Sequence, residues 1–444
     1  MNSIIWFRQN LRSIDNPSIL SCLDSSIPVY IIDPKENLGE GSKRWLRKIL
    51  RRMPWMNVYS GSSKETILHL VKTNAVTKVV WDECYEPWRR RLDSEIVAEL
   101  DKMSVDCEIF QSNLLWRPKG ILKPDRTPYK VFTQFYKRCL TNPIREIAGE
   151  SRLRWIQLTD CLKQEELDSI LGNDEINPLW QNTAEEKLDI FLSNGLFNYK
   201  VDRNVPGKEN VSRLSPYLHF GEISPVQVWH AATNSRAPKA DIEHFLSELG
   251  WREFSYYLLY WFPELPQKNF QPKFDNFPWS DDMEKLSAWK EGQTGYPIVD
   301  AGIRQLLKEG YIHNRVRMVV ASFLVKNLFI HWHHGRDWFW KHLHDADLAN
   351  NSASWQWVAG SGADAAPYYR IFNPVLQAEK FDPEGIYIRK YVPELADFPV
   401  KYLPAPWTAP PEIRSRFKYP DPIVDCDLTR KISLAAYKAL QSKL

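Results

Sequence analysis

The chain has 444 residues, 43% of them hydrophobic and 25% charged, which is ordinary for a water-soluble protein and enough for two domains with cores of their own. Its 58 basic and 55 acidic residues leave a formal net charge of +3, which announces no polyanion binder and leaves room for a local basic patch. The apolar run at 318–325 is far short of a bilayer span, and the start Met1-Asn2-Ser3-Ile4-Ile5 lacks a signal-peptide pattern.

In chain order, short β-type runs at 4–7, 28–32, 57–59, 78–81 and 106–110 alternate with helical stretches near 15–23, 43–52, 63–73 and 88–103. That alternation predicts an α/β domain with a doubly wound parallel sheet over 1–128. No G-x-G-x-x-G follows the first strand, so the usual dinucleotide fingerprint is absent. Residues 129–195 are irregular and polar, with a Pro-Leu-Trp break at 178–180, and read as a linker carrying short helices. From 196 to 444 helical periodicity dominates, predicting an all-α second domain. The stretch 315–330 is apolar nearly all round and predicts a buried central helix. A Pro-rich connection at 404–411 precedes a last helix near 430–442.

Six scattered cysteines (Cys22, Cys84, Cys107, Cys139, Cys161 and Cys426) form no close pair, so neither a disulfide framework nor a zinc site is indicated. Only Cys426 follows Cys161, which excludes a four-cysteine iron–sulfur cluster in the C-terminal half. Reduced thiols in the cytoplasm are expected. Tryptophan is the anomaly: there are nineteen, and seven fall between Trp279 and Trp357. Each indole N–H wants a partner, so such a density points to base stacking, a flat cofactor or electron movement.

On a helix, Glu248, Trp251 and Arg252 share a face by i,i+3 and i,i+4 spacing. A carboxyl beside an indole can stay protonated and donate to a reacting carbonyl; the bland reading is a Glu–Arg surface pair. Asn314, Arg317 and Met318 also share a face, and an inward Arg317 needs a carboxylate such as Asp345 or Asp347, or a bound phosphate. Asp347, Asn351 and Trp355 are spaced by four; the aromatic residues that follow favour a flat organic ligand over a metal. His331, His333, His334, His342 and His344 cluster without a zincin pattern, so no metal is expected. The basic stretches 43–52 and 89–91 read as solvated faces.

Taken together, Ser212-Arg213-Leu214-Ser215, the segment 248–254, Gly295-Tyr296-Pro297-Ile298-Val299-Asp300-Ala301, the segment 313–318 and the run 355–374 resemble the photolyase/cryptochrome family, and the resemblance extends over nearly the whole chain. Within it the pattern is similar to the microbial cyclobutane-dimer photolyases of class I or class III. Met318 stands where animal-type (6-4) enzymes carry a histidine, and Asn351 where plant-type cryptochromes usually carry Asp. The alternative within the family is a blue-light photoreceptor without repair activity.

The resemblance implies an α/β antenna domain, a linker and a helical domain that binds FAD. It implies light-driven electron transfer from reduced FAD to a pyrimidine dimer in DNA, after which the two cyclobutane bonds open and the electron returns. It assigns Tyr199, Ser212, Leu214, Ser215, Glu248, Arg252, Arg317, Asp345, Asp347 and Asn351 to the flavin. Glu248, Asn314 and Met318 would hold the dimer, with Trp251 and Trp357 stacked on its extruded bases. Asn351 would face the redox-active ring nitrogen, and Trp355, Trp332 and Trp279 would relay electrons from the surface. Arg203, Arg315 and Arg370 would meet DNA phosphates. A monomer is expected. An antenna chromophore (folate, deazaflavin or flavin) is left open, because Trp88 and Arg89 stand where folate-binding members carry an Asn-Glu pair.

Overall fold

The computed structural model describes residues 2–22, 25–150, 153–365 and 369–441. Two compact units emerge, one of Met1–Asn194, Ser212–Pro263 and His344–Ala349, the other of Gly195–Val211, Glu264–Leu343 and Asn350–Leu444.

The first unit is built on a parallel sheet of β1 (Asn2–Phe7), β2 (Ser25–Ile32), β3 (Asn57–Ser60), β4 (Val76–Asp82), β5 (Asp106–Phe110) and β6 (Arg154–Trp155). The strand order is β3-β2-β1-β4-β5, with β6 pairing the start of β2. Trp6 faces Val29 on one side and Trp81 on the other. β1, β2 and β4 are buried almost throughout, as near-continuous apolar runs in a parallel sheet must be when helices cover both faces. Ile4, Trp6, Val29, Val79, Trp81, Ile67 and Ile96 form its core.

The doubly wound sheet is as the alternation predicts, and β5 and the helix Ser63–Thr73 keep the expected bounds. Missed is β6, a two-residue strand inside the stretch read as linker; so short a segment carries no period of its own. That stretch also holds the helices Phe132–Cys139, Gln164–Leu171 and Ala184–Ile190.

The basic stretches are solvated only in part: Arg51, Arg52 and Arg91 are exposed, while Arg47 and Arg89 are buried. In the helix Glu40–Arg51, Lys48 Nζ lies 3.8 Å over the Trp45 ring, and Arg51 pairs with Asp168 at 2.8 Å. Arg89 is buried in an ion pair with Glu36, and Arg90 lies 4.2 Å over the Tyr260 ring. The long Lys and Arg stems bury while their charges find internal partners. Gly221, at φ 73, comes so close to the Gln9 carbonyl that a Cβ would lie 1.9 Å from its oxygen, and only glycine fits.

The second unit is helical. Pro297–Glu309 is packed between Asn314–Ser322 and Ile386–Tyr391. The Gly-Tyr-Pro-Ile-Val-Asp-Ala motif is structural here: Asp300 is buried and accepts from Thr294 N (2.8 Å), Thr294 Oγ1 (2.6 Å) and the Tyr419 hydroxyl. The helix expected over 315–330 is an α-helix only from Asn314 to Ser322. It continues as a π-turn, Phe323–Asn327, whose five side chains are all buried, and stops before Phe329, which adopts φ 60. The last helix, Cys426–Gln441, starts four residues earlier than expected, and residue 442 lies outside the described residues. So do Ala366, Pro367 and Tyr368 of the run 355–374.

Candidate active site

In the first unit, the 23-residue helix Lys239–Trp261 carries Glu248, Trp251 and Arg252 as the spacing predicts. Trp251 is stacked on Phe132, ring centres 3.8 Å apart and planes 11° apart, so the indole is a fixed plate with one face covered. Arg252 Nη1 donates to the Asn113 carbonyl (2.8 Å) and to Glu253 Oε1 (3.1 Å), and its guanidinium lies 4.8 Å over the Tyr256 ring. Glu248 is half-buried.

The carboxyl that burial pushes up on this helix is that of Glu253, to about 7, against the pull of Arg252 and the backbone N–H groups of Trp116 and Leu115. Glu253 Oε2 accepts from Leu115 N at 2.8 Å, so it pins the 112–116 loop to the helix.

Asp347, buried, accepts from the Tyr256 hydroxyl and lies 3.2 Å from His219 Nδ1. Burial, then the Asp347 carboxylate, holds the Tyr256 phenol far above its ordinary value, so it stays a donor. Ser212 Oγ accepts from Leu214 N at 3.4 Å in the loop that leads into the helix Ser215–Phe220. Asp345 is half-buried; its neighbour His344 donates from Nδ1 to the Gly41 carbonyl at 2.9 Å and sets its ring against Trp45. Among the described residues no group of three His, Cys, Asp or Glu side chains could hold a metal ion.

In the second unit, the helix Asn314–Ser322 presents Asn314 exposed and Met318 half-buried. Arg317 Nε donates to the Ile312 carbonyl at 2.9 Å. Arg315 Nη2 donates to Asn204 Oδ1 at 2.6 Å, and its guanidinium lies 4.5 Å over Phe381, so this arginine is held from below rather than swinging in solvent. Arg203 lies 5.5 Å over the Tyr199 ring. Asn351 Nδ2 donates one hydrogen to the Arg336 carbonyl at 3.0 Å, which fixes the amide plane and leaves its second hydrogen and its oxygen.

Trp355 and Trp332 are buried and Trp279 is half-buried. Trp355 packs against Gly335, where a Cβ would come within 2.1 Å of its ring. Trp332 Nε1 donates to Asn269 Oδ1 at 2.9 Å. Trp357 is half-buried, its N–H donated to the Asp364 carbonyl at 3.1 Å. Beside it is a cavity of about 20 Å³, room for about one water, lined among others by Lys326, Tyr369 and the exposed Arg370. Lys326 Nζ donates to the Arg370 carbonyl and lies 4.2 Å over Tyr369; burial, then Arg370, pushes it down to about 7.

Thus Arg252 meets Tyr256 and Tyr256 meets Asp347 in the first unit, while Arg315 meets Met318 and Asn351 meets Arg336 in the second. Sequence reasoning missed Tyr256, His219, Glu253 and Gln356. Two had a signal: Tyr256 is four residues beyond Arg252, on the face already singled out, and His219 is four beyond Ser215, the last residue of a quoted motif. Gln356, fully buried between two site tryptophans, donates to the Leu265 (2.7 Å) and Lys268 (2.9 Å) carbonyls and accepts from Phe270 N. Nothing in its spacing marks that role. Arg89 is taken up by Glu36, with Glu86 3.7 Å from its Nε and bound by Gln9 at 2.9 Å.

Residues 3–149 match the family described as DNA photolyase, and residues 245–439 match the FAD binding domain of DNA photolyase. The deoxyribodipyrimidine photo-lyase of Agrobacterium fabrum is 38% identical over 99% of this chain and 98% of its own length. The crystal structure of a bacterial class III photolyase from Agrobacterium tumefaciens superposes with a TM-score of 0.94 at 37% identity, covering 99% of this chain and 98% of that one. An archaeal photolyase from Sulfolobus tokodaii, solved with two FAD molecules and described as implying a novel light-harvesting cofactor, matches with a TM-score of 0.85 at 30% identity over 99% of this chain and 100% of that one.

Proposed function

The chain belongs to the DNA photolyase family, and from that premise we propose how its own residues carry the reaction. It is a deoxyribodipyrimidine photo-lyase that binds FAD and uses light to split cyclobutane pyrimidine dimers in DNA. The observation that carries this is the end-to-end likeness to the class III photolyase, at a TM-score of 0.94 and 37% identity, and we assign the chain to that class.

The donor set suits a flavin dinucleotide. Ser212 and Ser215 offer hydroxyls to a diphosphate, and Arg252 and Arg317 offer guanidinium groups. Asp347 is a buried acid whose Oδ2 is met by both the Tyr256 hydroxyl and His219 Nδ1, and it suits a heterocycle N–H or a sugar hydroxyl. We assign Tyr199, Leu214, Glu248, Asp345 and Asn351 to the same cofactor. Reduced FAD, when bound, supplies the single electron that light drives onto the dimer and takes it back once the ring has opened.

The protein's part is positioning and electrostatics. Trp251 and Trp357, each held by a partner of its own, are rigid plates on which extruded bases stack at little entropic cost. Glu248 hydrogen-bonds the dimer carbonyls and stabilises the negative charge that develops there, a preorganised role. Asn314 holds the dimer, and Met318 gives it a polarisable thioether surface. The Asn351 amide is too weak an acid to give up a proton readily, and its orientation is fixed by the Arg336 carbonyl, so it favours an anionic ring beside it. Trp355 and Trp332, both buried, and Trp279, half-buried, form the relay that reduces the cofactor. Arg203, Arg315 and Arg370 meet the DNA backbone.

The finer assignments belong to the same proposal. The six cysteines are all thiols, which suits the cytoplasm. Exposed large apolar side chains are scattered singly along the chain, which suits a monomer. With Arg89 committed to Glu36, the residues here do not suit a folate bound through an Asn-Glu pair; a flavin, a deazaflavin, a folate held by other residues and no second chromophore at all stay open.

The test is repair of an oligonucleotide carrying one thymine dimer by pre-reduced protein, under blue light and in the dark. Restoration in the light alone is expected. No restoration under strong light, with FAD bound and reduced, would make the chain a photoreceptor instead.

A further inference from the structure

The relay's outer two indoles have a third ring in contact with both. His331 lies with its ring centre 4.8 Å from that of Trp279, tilted 72°, and 5.6 Å from that of Trp332, nearly parallel at 29°. The backbone places it there. Ser280 N donates to the Phe329 carbonyl at 2.7 Å, and Ser280 bridges Ile330, so the segment carrying Trp279 runs beside the approach to the helix Trp332–His342. Phe329 takes its left-handed φ of 60 in this turn.

His331 also has a bland role. It is the residue before that helix, and its Nδ1 accepts from His333 N at 3.2 Å, a side-chain cap. The cap fixes the tautomer: Nδ1 carries no proton, so the neutral ring holds its hydrogen on Nε2. The groups around it keep it neutral. Burial, then His334 and Arg336, push it down to about 4 against the pull of Asp275, and neighbouring His333 is likewise pushed down to about 4.

The charges nearby are arranged for an outward hole. Arg336 places its guanidinium 5.3 Å over the Trp332 ring, so a positive charge created on Trp332 is repelled. Its N–H is bound by the Asn269 amide oxygen, which is a poor base, and Asn269 Nδ2 in turn donates to Asp275 Oδ1 at 2.7 Å. An oxidised Trp332 therefore keeps its proton and passes the charge on. The ring it meets on the way to Trp279 is His331.

We infer that His331 is a positioning residue of the relay, a neutral aromatic bridge that couples Trp279 to Trp332 in the last electron hop. The inference rests on the relay assigned to Trp355, Trp332 and Trp279 above. In the hop one electron leaves the Trp279 indole for the oxidised Trp332 indole. No bond is broken and no proton moves, and an added thiol reductant afterwards refills Trp279. A cationic side chain at this position would oppose the passage, which is why a ring held neutral serves.

Two variants separate bridge from cap. His331→Asn keeps a good capping side chain and removes the ring; His331→Phe keeps a ring and removes the cap. Transient absorption on the full chain with oxidised FAD bound reads the yield of the surface tryptophan radical and, separately, the first oxidation at Trp355. The expected result is a several-fold loss of the surface radical in His331→Asn, near-normal yield in His331→Phe, and an unchanged first step in both. A normal yield in His331→Asn, or equal losses in the two variants, would overturn the inference. Trp279→Phe is the control: if it leaves the surface radical untouched, the relay assignment fails first, whereas its loss there with a normal His331→Asn condemns the bridge alone.

Discussion

Glu248 and Glu253 sit five residues apart on one helix and do different work. Glu253 is buried under the 112–116 loop, accepts two backbone N–H groups and Arg252, and has its carboxyl pushed up to about 7. Its ordinary value is 4.5, so between pH 4.5 and about 7 the folded chain holds a proton that the unfolded chain has lost. Stability is then highest below that window and falls as pH rises through it, by at most roughly 3 kcal/mol. Thermal melts should show the wild type losing stability between pH 5 and 8, and Glu253→Gln should flatten that slope; parallel curves would mean that Glu253 is ionised throughout. Glu248 is half-buried and assigned to the dimer. Glu248→Ala should lower the repair quantum yield several-fold while the FAD content stays at wild-type level, measured from the flavin absorbance and from repair per absorbed photon. Loss of flavin instead would make Glu248 structural. The spacing of Glu248, Trp251 and Arg252 was legible because helical periodicity puts them on one face. Glu253, on the face turned to the 112–116 loop, was not: its partners lie about 138 residues away in sequence, and no local pattern encodes them.

At the scale of elements, the segments best read from sequence are those whose period matches their burial. β5 and the helix Ser63–Thr73 came out to the residue. The run 315–330 misled because an all-round apolar stretch fits an α-helix and a π-turn equally; burial of Phe323–Asn327 on every side removes the polar face that would set the period. That π-turn and the bend at Phe329 are what bring Ile330 back to Ser280 and so set Trp279 beside His331. Trp279→Phe should therefore slow photoreduction of oxidised protein by a large factor and leave repair by pre-reduced protein at wild-type rate, since refilling the cofactor and opening the dimer are separate events. Photoreduction under a thiol donor and single-turnover repair read the two. Equal losses in both would refute the relay.

For the molecule as a whole, a net charge of +3 gave no hint of a DNA-binding protein, and the parallel sheet followed by helices was plain from the switch in period. Composition and spacing pointed only as far as a flat organic ligand, base stacking or electron movement; FAD and the pyrimidine dimer came from motifs 248–254, 313–318 and 355–374 read against a family. The arginines assigned to DNA differ in how they are held: Arg315 is tied to Asn204 and Phe381, whereas Arg370 is exposed. Each phosphate contact contributes about 0.9 to the slope of log affinity against log salt. Arg370→Ala should reduce that slope by about one and weaken binding of damaged and undamaged DNA alike; an unchanged slope would remove Arg370 from the interface. The most direct test of the central claim, that the electron lent to the dimer comes back, is the number of dimers repaired per bound flavin by pre-reduced protein under blue light, without oxygen and without added reductant. Many repairs per flavin, with the flavin still reduced at the end, are predicted. One repair or fewer per flavin, with the flavin left oxidised, would contradict the account.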